Sequence, residues 1–176
     1  MCFSAGASFT SGAVLAVAGV ASFRNAKSVS QKLFASIPLI FSIQQITEGF
    51  LWLSLGNNNM QGFQSPCTLI FLIIAQVIWP VWVPLSVGLL EKKESRKKIF
   101  FVLTFIGGTI SAWISYCLFN FHVSASIDGY HIAYKLDFPA SIHMVGGVSY
   151  FIVTVFSPLF SSVKKMPLLG ALILAS

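Results

Sequence analysis

From Cys67 to Lys98 the chain reads CTLIFLIIAQVIWPVWVPLSVGLL followed directly by EKKESRKK. The first part carries no charge and is long enough to cross a hydrocarbon core, which takes about 20 residues. The second is almost entirely charged, with five basic residues, and such loops are retained on the cytoplasmic side. The contrast holds for the whole chain. Of 176 residues, 56% are apolar and only 9% charged, where a soluble domain carries about 25% charged residues. An ordinary water-soluble fold is excluded. So are disorder and collagen-like structure, because the 17 phenylalanines and many aliphatic residues follow no repeat.

Working outward, five complete membrane spans are expected at about 5–23, 33–55, 67–90, 99–120 and 139–160, with a partial sixth at 167–176. The fold class this implies is all-α, a polytopic helix bundle forming one transmembrane domain over 1–176. Arg24, Lys27 and Lys32 lie between spans one and two. Lys92, Lys93, Arg96, Lys97 and Lys98 lie between three and four, and Lys164 and Lys165 follow five. The two intervening loops, 56–66 and 121–138, hold only Lys135. Ten of eleven basic residues thus fall on alternate loops, which places the N-terminus outside. No basic residue precedes the first apolar run, so it reads as a retained span rather than a cleaved signal. The net charge of +6 is then a cytoplasmic bias that implies no nucleic-acid partner. The run Glu91–Lys98 reads as a topology determinant with anionic lipid as an expected contact, Glu91 and Glu94 diluting its charge.

Small residues at Gly12, Ala16 and Gly19 should let a second helix approach the first span, and Gly107-Gly108 and Gly146-Gly147 suggest the same. Pro80 and Pro84 should kink the third span, and Pro38 the second.

Glu48 is the one carboxylate inside an expected span. With Gln44 and Trp52 it shares a helical face at i, i+4, i+8, and Gln45 adjoins it. It lies about 11 Å from the outer end of its span, at ~1.5 Å per residue. An unpaired charge at that depth costs at least a few kcal/mol. The group is therefore expected to be protonated, paired, or bound to a metal; the blander reading is a neutral acid hydrogen-bonded between helices. His143, four residues beyond Pro139, lies at comparable depth. His122 and His131 fall at the same outer side, so the three histidines are candidate ligands for zinc or another transition metal, although their spacing matches no compact metal signature. Trp113, Tyr116, Tyr130 and Tyr134 read as interfacial aromatics. Cys2, Cys67 and Cys117 all fall on the outer, oxidising side, where Cys67–Cys117 is the first pairing to expect and thiolate ligation the alternative. No phosphate-binding glycine loop, G-x-S-x-G, C-x-x-C or H-E-x-x-H occurs.

The opening Met1-Cys2-Phe3-Ser4-Ala5, together with Gln44-Gln45-x-x-Glu48-Gly49-x-x-Trp52, resembles a family of uncharacterised bacterial membrane proteins with an MCFSA-type start and a QQxxEGxxW second span. The resemblance runs along the whole chain. It implies a multi-pass protein of the bacterial inner membrane, with seven spans in the longer members, and directs interest to Cys2, Glu48 and Trp52. A looser fold-level analogy is to seven-span zinc-dependent membrane hydrolases of the ceramidase and adiponectin-receptor type, although no H-x-x-x-H pair is present.

Three functional expectations follow. The first is an outward-facing polar pocket around Glu48, with Gln44, Gln45, Trp52 and His143, binding a small ligand, a proton or a metal ion in sensing or transport. The second is a metal-dependent hydrolase of lipid-like substrates, with His122, His131 and His143 as ligands and Glu48 as general base. The third is a structural subunit, within a homo-oligomer or a larger membrane complex.

Overall fold

A computed structural model describes residues 3–138 and 140–175; for 140–145, 169, 172, 173 and 175 the backbone alone is described. Helix α1 (Ala5–Asn25) begins because Ser4, in extended backbone, accepts the Ala7 N–H at 3.2 Å. That bond satisfies one of the donors a helix start leaves open, and gives the serine of the opening motif a structural role. After α2 (Val29–Ala35) the chain breaks at Ser36, and α3 (Ile37–Gly56) carries Pro38 in its first turn. The expected span at 33–55 is therefore divided. Pro38 opens a helix rather than kinking one, as suits a residue without an N–H.

A continuous helical run covers Asn58–Leu90. It comprises a 3₁₀ stretch (Asn58–Phe63), α4 (Gln64–Leu72), a π-helical stretch (Ile73–Ile78) and α5 (Trp79–Leu90). The π turns sit immediately before Trp79-Pro80, where proline withdraws a donor from the ladder. Helix α6 (Glu94–Asn120) follows, then a hairpin of β1 (Val123–Asp128) and β2 (His131–Leu136). The chain continues through α7 (Ala140–Phe151), π turns at Ile152–Phe156, α8 (Ser157–Phe160) and α9 (Met166–Ala175).

The hairpin corrects the all-α expectation. Its strands pair antiparallel from Val123↔Leu136 to Asp128↔His131. Gly129, first of the two loop residues, has φ +58, the position at which a type II′ hairpin turn takes glycine. β-branched and aromatic residues on either side of this turn are the strand signal that a reading of the segment as a polar loop passes over.

Among the described residues, three helices are long and apolar enough to cross a membrane: Ala5–Asn25, Asn58–Leu90 and Glu94–Asn120. The expected second and fifth spans differ in kind. α3 is diluted by polar residues, and the apolar stretch at Gly146–Phe160 is shorter. α3 is also inside out. Ser42, Gln44, Thr47, Glu48 and Ser54 are buried, while Phe41, Ile43, Ile46, Phe50 and Leu53 are exposed.

The chain packs as two compact units. One takes the chain up to Lys27, Ala35–Ala75 and Leu118–Asp137; the other takes Ser28–Phe34, Gln76–Cys117 and the chain from Phe138. In the first, α1 lies antiparallel to α3. A Cβ on Gly12 would stand 2.8 Å from the Ile46 side chain, and one on Gly19 2.5 Å from Leu39. Ser42 Oγ donates to Gly12 O at 2.7 Å across the same contact. In the second, Gly107 lies so close to Pro80 O that a Cβ would overlap it, and Ser111 Oγ donates to Val77 O at 2.6 Å. Around Gly108, Gly146 and Gly147 a Cβ would meet open space among the described residues, in contrast to the close packing expected there.

Candidate functional site around Glu48

The site lies within the first unit, between α3, α4 and the hairpin. Glu48 is 1% exposed, and Gln45 Nε2 donates to its Oε2 at 3.2 Å. Gln44 is also buried, and Thr47 turns its hydroxyl back to Ile43 O at 2.8 Å. One turn beyond Glu48, Trp52 packs on a cluster of Leu51, Cys67 and Ile132, which also receives Leu55, Ala125 and Tyr134. The hairpin therefore folds back onto α3 and α4. Tyr134 is held there by stacking on Phe71, ring centres 4.8 Å apart and planes 4° from parallel. Burial, with the nearby charge of Glu48, pushes the Tyr134 phenol well above its ordinary value. This tyrosine is thus a protonated donor within the site.

Two donors here have nothing to bond. Trp52 Nε1 and Tyr134 OH are buried with no hydrogen-bond partner among the described residues. Each such group costs about 1–3 kcal/mol, and both stand on the wall that carries the buried acid. Ser8 Oγ, fully buried on α1, shares this state. The antiparallel α1–α3 register sets Phe9 against Gly49, so Ser8 lies close to the level of Phe50.

The other candidates are placed differently. His122 and His131 are exposed, at the base and tip of the hairpin respectively. About 20 Å of strand separates such positions at ~3.3 Å per residue, so a single ion cannot take both. His122 O accepts the Asp137 N–H, and His131 lies 3.9 Å from Asp128. Among the described residues, no group of three or more His, Cys, Asp or Glu side chains is placed to hold a metal. The His143 side chain and Cys2 lie outside the described residues. Cys67 and Cys117 are buried free thiols, where the sequence suggests a disulfide between them.

Sequence reasoning missed one acid entirely. Glu91, expected only to dilute a basic loop, is 2% exposed. Its Oε1 accepts the backbone N–H of Lys92 (3.0 Å) and Lys93 (3.2 Å) and the Ser162 hydroxyl. Its Oε2 accepts Ser162 N at 2.8 Å and Ser161 Oγ at 3.3 Å. Burial alone would raise its pKa, but the hydrogen bonds outweigh burial and hold it at about 2. Nothing in the run Glu91-Lys92-Lys93-Glu94 separates this acid from Glu94, because its partners lie 70 residues on.

Comparison with curated proteins and with solved structures finds no match to the chain. The model of one family, described as a family of unknown function and designated DUF6629, matches residues 1–176, and the chain belongs to that family.

Proposed function

We propose that this is a multi-pass protein of the bacterial inner membrane, N-terminus outside, whose first unit binds a small polar ligand, a proton or a metal ion at Glu48 for sensing or transport. The membrane reading is supported by the three apolar helices, the alternation of basic loops and the inverted α3, which buries Ser42, Gln44, Thr47, Glu48 and Ser54 while Phe41, Ile43, Ile46, Phe50 and Leu53 are exposed. In water that inversion is unfavourable on both faces; in lipid it is the stable arrangement. Five complete spans and a partial sixth remain the reading of the topology, with the hairpin at the outer surface as a cover over the pocket.

One observation carries the binding reading. Beside a buried acid stand two buried donors, the Trp52 indole N–H and the Tyr134 hydroxyl, with no partner among the described residues. A ligand with hydrogen-bond acceptors satisfies both, and Glu48 supplies the acidic or ionic contact. Ligand sites combine an apolar lining with a few convergent polar groups, and Glu48, Trp52 and Tyr134 would supply the polar ones here.

The test is a pair of substitutions at one position in protein reconstituted into vesicles. Glu48→Gln, nearly isosteric, should abolish a proton or ligand response while leaving the fold intact. If Glu48→Gln is silent and Glu48→Leu unfolds the protein, Glu48 serves structure alone and the binding reading fails.

A further inference from the structure

In the second unit, Glu91 ties together two loops that electrostatics alone would keep apart. One loop carries Lys92 and Lys93, with Arg96 in the first turn of α6; the other carries Lys164 and Lys165. The carboxylate receives hydrogen bonds from both loops, through Lys92 N and Lys93 N on one side and through Ser161 and Ser162 on the other. Arg96 Nη1 adds a second tie, donating to Phe160 O at 2.7 Å. Beneath them Val87, Phe100 and Met166 form a common core with Leu90 and Val163. Four lysines, Lys92, Lys93, Lys164 and Lys165, are thereby brought to one end of the unit, all exposed. Lys165 has φ +71, a left-handed conformation that an unbranched lysine adopts at a cost and glycine does not. The turn holds a second lysine where the backbone favours another residue.

Topology requires only that basic residues be present in these loops. It does not require a buried carboxylate with five hydrogen bonds to set them side by side. Glu91 is spent inward on N–H and O–H donors, so it offsets the mutual repulsion of the lysines without covering their ammonium groups.

We infer that the paired loops form a headgroup platform that binds anionic phospholipid, the phosphodiester seated between the lysines of the two loops. The inference goes beyond the Glu48 pocket and shares with it only the membrane reading. The flanking helices, uncharged and apolar from Cys67 to Leu90, place the platform where a leaflet presents its headgroups.

The test uses the full chain, purified in detergent, stripped of lipid and exposed to phosphatidylglycerol or phosphatidylcholine, with retained lipid counted by native mass spectrometry. The wild type should retain phosphatidylglycerol and not phosphatidylcholine. K92Q/K164Q removes one lysine from each loop and should weaken retention about 25-fold, at about fivefold per basic residue. R24Q/K27Q removes the same charge outside the platform and should change retention less than twofold. E91Q makes the protein more positive, yet should weaken retention several-fold because the loops part. Equal losses in the two double variants, or tighter retention by E91Q, would mean diffuse charge attraction and overturn the platform. Binding of a DNA duplex as tightly as phosphatidylglycerol would overturn it in favour of nucleic acid. The two double variants keep the test decisive if E91Q fails to fold. Protein that cannot be reconstituted into a bilayer at all would instead sink the membrane reading itself.

Discussion

Replacing Glu91 with glutamine exchanges one acceptor oxygen for an NH₂ group at a site where every neighbour is a donor. If the amide oxygen takes the Oε1 position, the NH₂ faces Ser162 N, which stands 2.8 Å from Oε2 in the wild type. If it takes the Oε2 position, the NH₂ faces the N–H groups of both Lys92 and Lys93. Either way at least one backbone donor loses its partner, and the remaining bonds lose their charge assistance. An orphaned donor costs about 1–3 kcal/mol, and a hydrogen bond to a charged group is worth about 1.5–3 kcal/mol. The expected loss is about 3 kcal/mol at neutral pH. The titration of Glu91 points the same way: its hydrogen bonds hold the carboxyl at about 2, below the ordinary 4.5, so the folded state favours the ionised form.

The sign of the pH effect follows from that lowering. The folded state favours the ionised form, so the contribution is fully present above about pH 4.5 and is lost as pH falls toward about 2. The stability gap between wild type and Glu91→Gln should therefore be widest at neutral pH and close through that window. Titrations elsewhere are common to both proteins and cancel. Loss of helical circular dichroism on heating serves as the reporter, because the helices give that signal at every pH in the window. At about 2–4 °C per kcal/mol for a chain of this size, the variant should melt about 6–12 °C lower at pH 7. A gap under about 2 °C, or one that stays constant down to pH 2, would refute the account of Glu91 as an ionised clasp.

Tyr134→Phe should leave thermal stability unchanged or raise it by up to about 1 kcal/mol, since it removes a buried hydroxyl without a partner; a loss above 2 kcal/mol would show that the hydroxyl is bonded. Gly107→Ala should destabilise by about 2 kcal/mol or more, because the new Cβ overlaps Pro80 O, whereas Gly108→Ala meets open space and should be neutral or slightly stabilising. The reverse order by thermal unfolding in detergent would disprove the α5–α6 contact. Gly129→Val should cost about 1–2 kcal/mol by forcing a β-branched residue to φ +58, read as earlier exchange of the hairpin amides with deuterium.

The apolar runs that form α1, α4–α5 and α6 are legible because being long and apolar enough to cross a membrane needs only length and the near absence of charge, both local properties. The close approach at Gly12 and Gly19 is legible too, since small residues at helical spacing leave room on one face whatever packs there. The hairpin was hidden by its composition: Ser124, Ser126, His131 and Lys135 make the segment polar overall, and the alternation around Gly129 carries the structure. At the candidate site, Glu48 and Trp52 could be found by their spacing along one helix. Tyr134 could not, because nothing local links a tyrosine 86 residues further along the chain to that helix. Its place depends on how the hairpin folds back, a long-range outcome. Glu91 was illegible for the same reason, its partners Ser161 and Ser162 being distant in sequence and unremarkable in type.

The two buried acids separate structure from function more sharply than either does alone. Glu48 and Glu91 are equally inaccessible, at 1% and 2% exposed. Around Glu91 every approaching polar group is a donor already committed to the carboxylate, so the site is complete and has no capacity for a further partner. Around Glu48 the neighbouring donors Trp52 Nε1 and Tyr134 OH are uncommitted, although a small rotation of the hairpin or an alanine at either position would remove their cost. A fold that spends hydrogen bonds so fully on one acid has no physical need to leave two donors idle beside the other. The idle donors are the expected cost of a site whose partner arrives from outside, since a pocket saturated by its own chain cannot reward binding. That difference in saturation, rather than burial or charge, is what supports a structural clasp at Glu91 and the proposed ligand at Glu48.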